Sequence, residues 1–243
     1  MSHDPALFEG LWGWMQALCL FLLRVLDLLA SLTGSWGLAI ILLALLVRVV
    51  LYPFAKRTLY EQKRFNEAHA RLKPQLDEIK ARYRGGEQAE RLDELYREHK
   101  LNPAAGMKPL LLVLVQLPIL IALFQILLKA PELRGVAFLG IDDLSQPDRI
   151  AALGVDLPWF GAWLNLLPFV LAGTLVLGGL FVPGERDPAA SRKRLWVTAA
   201  MAVVFFVLFY GFPSGLVIYW IATNLLAFVQ QWLVAARGKA TAA

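Results

Sequence analysis

Long blocks of apolar side chains constrain this chain more than any other feature. Five stretches, Ser35–Phe54, Met107–Leu128, Trp159–Val182, Leu195–Phe212 and Gly215–Ala236, each run for about 20 residues, the length a helix needs to cross a hydrocarbon core of about 30 Å. Bilayers hold no water to satisfy backbone N–H and C=O groups, so such blocks fold as helices. A soluble core would not need them. Of the 243 residues, 58% are hydrophobic and 18% charged, against about 45–50% and about 25% in average globular chains. The chain reads as an all-α polytopic membrane protein with five transmembrane helices.

Basic residues orient it. The connections 56–106 and 183–194 and the tail 237–243, with Lys108, carry 19 Lys or Arg, whereas residues 1–33, the loop 129–158 and the Pro-Gly turn after Phe212 carry 4. The positive-inside rule places the first set in the cytoplasm. The spans then fall at 34–55, 107–128, 159–182, 195–212 and 213–236, with the N-terminus outside and the C-terminus in the cytoplasm. Residues 1–33 hold an apolar segment with Glu9, Gln16, Arg24, Asp27 and Ser31 on one helical stripe. This suits an amphipathic helix in the outer interface; a sixth span is the other reading. No cleaved signal peptide is expected, because residues 2–10 lack a positive region and contain Asp4 and Glu9.

Between the first two spans, Phe65, Leu72, Leu76, Ile79 and Tyr83 form an apolar stripe, and Leu92, Leu95 and Tyr96 form another. Two helices, about Arg57–Arg84 and Glu87–His99, are expected to pair as an antiparallel hairpin broken at Gly85-Gly86. Pro74 should kink the first or restart it, and Asn102-Pro103 should cap a short turn. The loop 129–158, with five carboxylates, reads as a loop with short interfacial helices before Trp159 and Trp163.

The single cysteine, Cys19, excludes an internal disulfide, and the three histidines lack metal-ligand spacing. No metal or other cofactor is expected. Nor is an enzyme, because no acid–base pair or nucleophile triad is placed in or beside the membrane.

Arg48 is the anomaly. It lies twelve residues into the first span, about 18 Å deep, and a guanidinium cannot shed its charge. Insertion of a central arginine costs about 2.5–3.5 kcal/mol, which the surrounding leucines can offset. Two readings stand: a side chain snorkelling to headgroups, or one facing a hydrated cavity. No span carries a carboxylate to pair with it. The candidate neighbours are neutral: Gln116, Thr174, Thr223 and Asn224. Pro118 frees a backbone carbonyl nearby in sequence to Gln116.

Four segments, "GSWGLAIILLALLVRVVLYP" (34–53), "NPAAGMKPLLLVLVQLPILIALF" (102–124), "ELRGVAFLGIDDLSQPD" (132–148) and "GFPSGLVIYWIATNLLAFVQQ" (211–231), occur in an order that resembles the YidC/Oxa family of membrane protein insertases. The resemblance covers most of residues 34–235. It implies five core helices around a hydrophilic groove open to the cytoplasm and sideways to lipid, with Arg48 as the groove charge and an aromatic pair at Tyr219-Trp220. It implies the cytoplasmic hairpin at 56–100 and supports the interfacial reading of the N-terminal helix. Departures are Ala44 where a hydroxyl residue is common, Trp220 where a second tyrosine is common, and Met201-Ala202 where Met-Pro is common. No stretch matches the extra N-terminal span and large periplasmic domain of many bacterial members.

The implied activity is energy-independent insertion of small membrane proteins into a bacterial inner membrane. Arg48 and the polar groove, lined by Gln116, Thr174, Tyr219, Trp220, Thr223 and Asn224, would carry a client's short polar tail. The client's apolar segment would leave past the third and last spans. The implied partners are newly made membrane proteins and lipid, with the ribosome and the Sec translocon as further candidates and no specific nucleic-acid binding. The alternatives are a scaffold that keeps the fold for one dedicated partner, and a small-anion transporter.

Overall fold

The structure, a computed structural model, describes residues 8–99, 101, 108–180 and 188–240. Among these residues the fold is helical apart from one two-stranded hairpin. The expected turn at Asn102-Pro103 lies outside them.

Helix α1 (Gly13–Thr33) buries Met15, Cys19, Leu22, Leu23, Leu26 and Ala30. This three-to-four spacing makes a single face, which packs on α2 and α4. The Cys19 thiol points at the Ala122 carbonyl, 3.9 Å away. Glu9, Arg24 and Ser31 are exposed and Gln16 and Asp27 half-buried, so the polar stripe lies off the packed face. The helix ends at Gly34 in the left-handed conformation (φ 70°), whose N–H donates to Ala30. Ser35 at once caps α2 by accepting from the Leu38 N–H.

Helix α2 (Trp36–Arg82) is continuous for 47 residues, about 70 Å along its path. The helix does not restart at Pro74, nor does Pro53 end it. Both proline rings sit on the exposed side, so each removes one helix bond without disturbing a packed face. Around Pro74 the packing of Leu72 and Leu76 against Leu95 of α3 (Gly85–Glu98) holds the rod together. Gly85-Gly86 opens α3 instead of lying between the helices, with Gly85 at φ 62°. Gln88 donates to the carbonyls of Tyr83 (2.8 Å) and Lys80 (3.3 Å), satisfying the end of α2. The protruding part of α2 with α3 forms an arm.

Helix α4 (Lys108–Lys129) runs through Pro118 and leads into residues 130–166, which cap the bundle. The cap contains a 3-10 turn (Pro131–Leu133) and strands β1 (Ala151–Leu157) and β2 (Gly161–Leu164), paired antiparallel with Ala151 opposite Leu164 and Leu157 opposite Gly161. Short interfacial helices were the expectation here. Trp159 and Gly161, both at positive φ, turn the chain back on itself instead. Helix α5 (Leu167–Leu180) therefore begins well after Trp159, with Pro168 in its first turn. Helices α6 (Pro188–Phe209) and α7 (Ser214–Ala240) follow, joined by a tight turn through Pro213.

The main core lies beneath the cap, where Ile40, Leu43, Leu123, Ile126, Leu127, Leu133, Leu144 and Leu216 meet. Helix α7 is central: it packs on α2, α4 and α5, while α6 packs along α5. The outward faces carry exposed Val49, Val50, Val203, Val204 and Leu208, as lipid-facing surfaces do. Among the described residues, Gly13–Thr33, Trp36–Arg82 and Ser214–Leu233 are long and apolar enough to cross a membrane, and Leu114–Lys129 and Leu167–Leu180 are shorter apolar helices.

Candidate functional site

The cap fixes the ends of three helices through buried polar groups. Asp148 accepts from the N–H groups of Leu166 (2.6 Å) and Leu167 (3.0 Å), so it caps α5 from across the cap. The Asn165 side chain donates to the Tyr210 carbonyl (2.7 Å) and accepts from the Arg149 N–H (3.0 Å). The Tyr210 hydroxyl donates to the Trp163 carbonyl at 3.0 Å. On α7, the Ser214 and Gly215 N–H groups donate to the carbonyls of Gln146 (2.8 Å) and Leu144 (3.0 Å). Asp143 accepts from the Ser145 N–H (2.8 Å) and hydroxyl (2.6 Å). Burial pushes the Asp143 carboxyl up, but hydrogen bonds from Ser145 and Gly135 and the charge of Arg134 outweigh it and hold it below the usual carboxylate range. Gly37 of α2 lies so close to the Phe138 ring that any Cβ there would overlap it.

Mid-bundle, the arrangement is different. Arg48 is half-buried, and its Nε is enclosed without a hydrogen-bond partner. Ala44 and Val47 beside it are buried, whereas Val49 and Val50 face outward. Tyr219 of α7 is fully buried and lies within electrostatic reach of Arg48, with Gln116 and Thr223 next to its hydroxyl. The Gln116 amide nitrogen and the Tyr219 and Thr223 hydroxyls are all enclosed without a well-formed hydrogen bond. One cation and three neutral polar groups from α2, α4 and α7 thus converge with unused hydrogen-bonding capacity. Such groups recruit water or a polar guest.

The other expected residues, Trp220 and Asn224 on a neighbouring stripe of α7 and Thr174 on α5, lie apart from this group. Asn224 donates to the Thr174 hydroxyl at 3.2 Å, which in turn donates to the Leu171 carbonyl at 2.7 Å. Trp220 packs against Phe205 and Phe209 of α6, with ring centroids 5.5 and 5.6 Å apart. Its indole N–H is buried without an acceptor. So Tyr219 and Thr223 face α2 and α4, while Trp220 and Asn224 face α6 and α5. Each pair is spaced i, i+4, one helical row apart from the other. Sequence reading missed the aromatic layer that continues through Phe209–Phe212 and Phe212–Phe124, each 5.1 Å between centroids, and bridges α6 to α4. Its signal was present in the phenylalanine spacing of 205, 209 and 212. Between α2, α5 and α7 lies an apolar cleft of about 410 Å³, lined by Ile41, Leu45, Val170, Ile221 and Leu225 and closed at the cap by Leu139.

The sequence profile of the family described as 60Kd inner membrane protein matches residues 28–241. Similar curated proteins include the membrane protein insertase YidC of Syntrophobacter fumaroxidans, 34% identical over 226 residues, covering 92% of this chain and 38% of the relative. That of Histophilus somni (strain 2336) is 36% identical over 228 residues, covering 92% and 37%. The fold is also similar to a crystal structure of an active YidC insertase with its first transmembrane domain resolved. There the TM-score is 0.59, the identity 29%, and the coverage 91% of this chain and 47% of the other. The chain thus spans less than half the length of these relatives. A profile matching most of the sequence, and relatives aligned along nearly all of it, establish that the chain belongs to the YidC/Oxa family and is a multi-pass protein of the bacterial inner membrane.

Proposed function

We propose that this chain is a membrane protein insertase that moves short polar tails of client proteins through a hydrated groove at Arg48 and releases their apolar segments into lipid. The observation that carries the reading is the convergence of Arg48, Gln116, Tyr219 and Thr223 with unused hydrogen-bonding capacity and no carboxylate among them. A salt-bridged structural arginine would have an acidic partner. Named relatives that are membrane protein insertases support the same activity.

In this reading α2, α4, α5, α6 and α7 are the five spans, α1 lies in the outer interface, the cap faces outside, and the arm and the C-terminus lie in the cytoplasm. The cap closes the outer end, and the groove admits water from the arm side. A client's acidic tail pairs with Arg48 in place of bulk water, which lowers the cost of entering the low-dielectric layer. The membrane potential assists it by about 2.3 kcal/mol per charge per 100 mV. The apolar segment leaves along the apolar cleft past α5 and α7, and its burial in lipid drives the step.

The test is Arg48→Ala in proteoliposomes holding this chain alone, with a single-span client carrying an acidic outer tail. Insertion should slow about tenfold, the effect of losing roughly 1–2 kcal/mol of attraction in a partly hydrated cleft. Arg48→Lys should restore much of it, and a client with a neutral tail should be nearly unaffected. Equal rates for the acidic client with and without the guanidinium would sink the groove mechanism.

A further inference from the structure

A second cavity, of about 440 Å³, lies between the arm and the first turns of α6. On the arm it is lined by one face of α2, where Asn66, His69, Lys73, Asp77 and Lys80 recur at three-to-four spacing. Across from them stands Lys193 of α6. Among the described residues three lysines face one carboxylate, so the lining is cationic. Lys80 and Lys193 are exposed at its mouth, and Phe65, its ring 5.6 Å from that of His69, adds an apolar wall.

Its depth follows from α6. Lys193 precedes by three residues Trp196, which is 74% exposed, and tryptophans of that kind mark the headgroup level. The next residue, Arg194, donates to the Gly179 carbonyl at 3.0 Å, so the end of α5 lies at the same level. Because Ala189 and Lys193 line the cavity together with the arm, the arm passes within reach of the headgroups there. A phosphate on a lipid can enter without leaving the bilayer. Basic pockets at the ends of membrane helices recognise such groups.

We propose that this cavity is a binding site for the phosphate-bearing headgroup of an acidic phospholipid in the cytoplasmic leaflet. Lys80 and Lys193 meet the phosphate, Lys73, His69 and Asn66 form the floor, and Phe65 meets the glycerol and upper acyl region. Bound lipid bridges the arm to α6. The site is separate from Arg48 and stands or falls independently of the groove.

The test uses the full chain in nanodiscs of mixed phosphatidylcholine and phosphatidylglycerol, with retained lipid counted by native mass spectrometry after transfer to detergent. Phosphatidylglycerol should be retained in preference to phosphatidylcholine. Lys80→Gln with Lys193→Gln should lower that preference roughly tenfold or more, the scale of two surface lysines acting on an acidic headgroup. Arg64→Gln with Arg71→Gln removes the same charge from the opposite face of α2 and should leave the preference intact. Equal retention in all three proteins, or equal loss in both double variants, overturns the assignment. So does phosphorus NMR showing inorganic phosphate bound by the lipid-free protein and released in the lysine variant, because the cavity would then serve a free anion.

Discussion

The cap and the middle of the bundle treat buried polar groups in opposite ways. In the cap, Asp148, Asn165, Ser214 and Tyr210 are tied by hydrogen bonds of 2.6–3.2 Å that reach from one element to another. At Arg48, Gln116, Tyr219 and Thr223 the polar atoms are gathered around one hydroxyl without a hydrogen bond of good geometry. A buried donor or acceptor left unmet costs about 1–3 kcal/mol. Any such cost falls on the middle, whereas the cap ties the ends of α5, α6 and α7 together. Stability and polarity are divided between two levels of the same helices.

Substitutions on the two levels should therefore have opposite signs. The largest effect is expected for Asp148→Ala, which strips two N–H groups of their shared acceptor at the start of α5. It should destabilise by about 2–3 kcal/mol, read as a lower midpoint in thermal unfolding in detergent. Gly37→Ala should cost about 1–3 kcal/mol, because the new methyl must displace the Phe138 ring. Faster hydrogen exchange confined to the cap and the first turns of α2 would check it. In the middle, Tyr219→Phe and Thr223→Val remove unmet hydroxyls and should leave stability unchanged or raise it by up to about 1 kcal/mol. A loss as large as that of Asp148→Ala would mean that these hydroxyls are already satisfied, and the contrast would collapse.

The smallest effect concerns pH. The Asp143 carboxyl titrates below its ordinary value in the folded protein, so its contribution is fully present above about pH 4 and fades as pH falls through the lowered value. Exchange protection at Ser145 and Ser214 should fall on acidification in the wild type. Asp143→Asn should flatten that dependence.

Much of this layout was legible in the chain. Apolar runs of span length located the first half of α2 and helices α4, α5, α6 and α7, because hydrocarbon leaves the backbone no alternative. Polar residues stranded in those runs, Arg48 and Gln116 above all, marked the middle of the bundle. What hydropathy hid was the start of α5. Trp159 and Trp163 are apolar enough to join a span, yet Pro168 was the local sign of a helix beginning there. The decisive partner, Asp148, sits far away in sequence. Tyr219 and Trp220 read as one aromatic pair, but neighbours on a helix point about 100° apart, and the fold sends them to different helices. Pro74 of α2 looked like a break because propensity is local, whereas its exposure on the helix is set by tertiary packing.

The unbroken run of α2 has a mechanical consequence. Arg48 and the lysines that meet α6 ride on a single helix, with no loop between them to absorb a displacement. A pull on the distal end is carried toward the guanidinium along one helical ladder, through Pro53, instead of being lost in a loop.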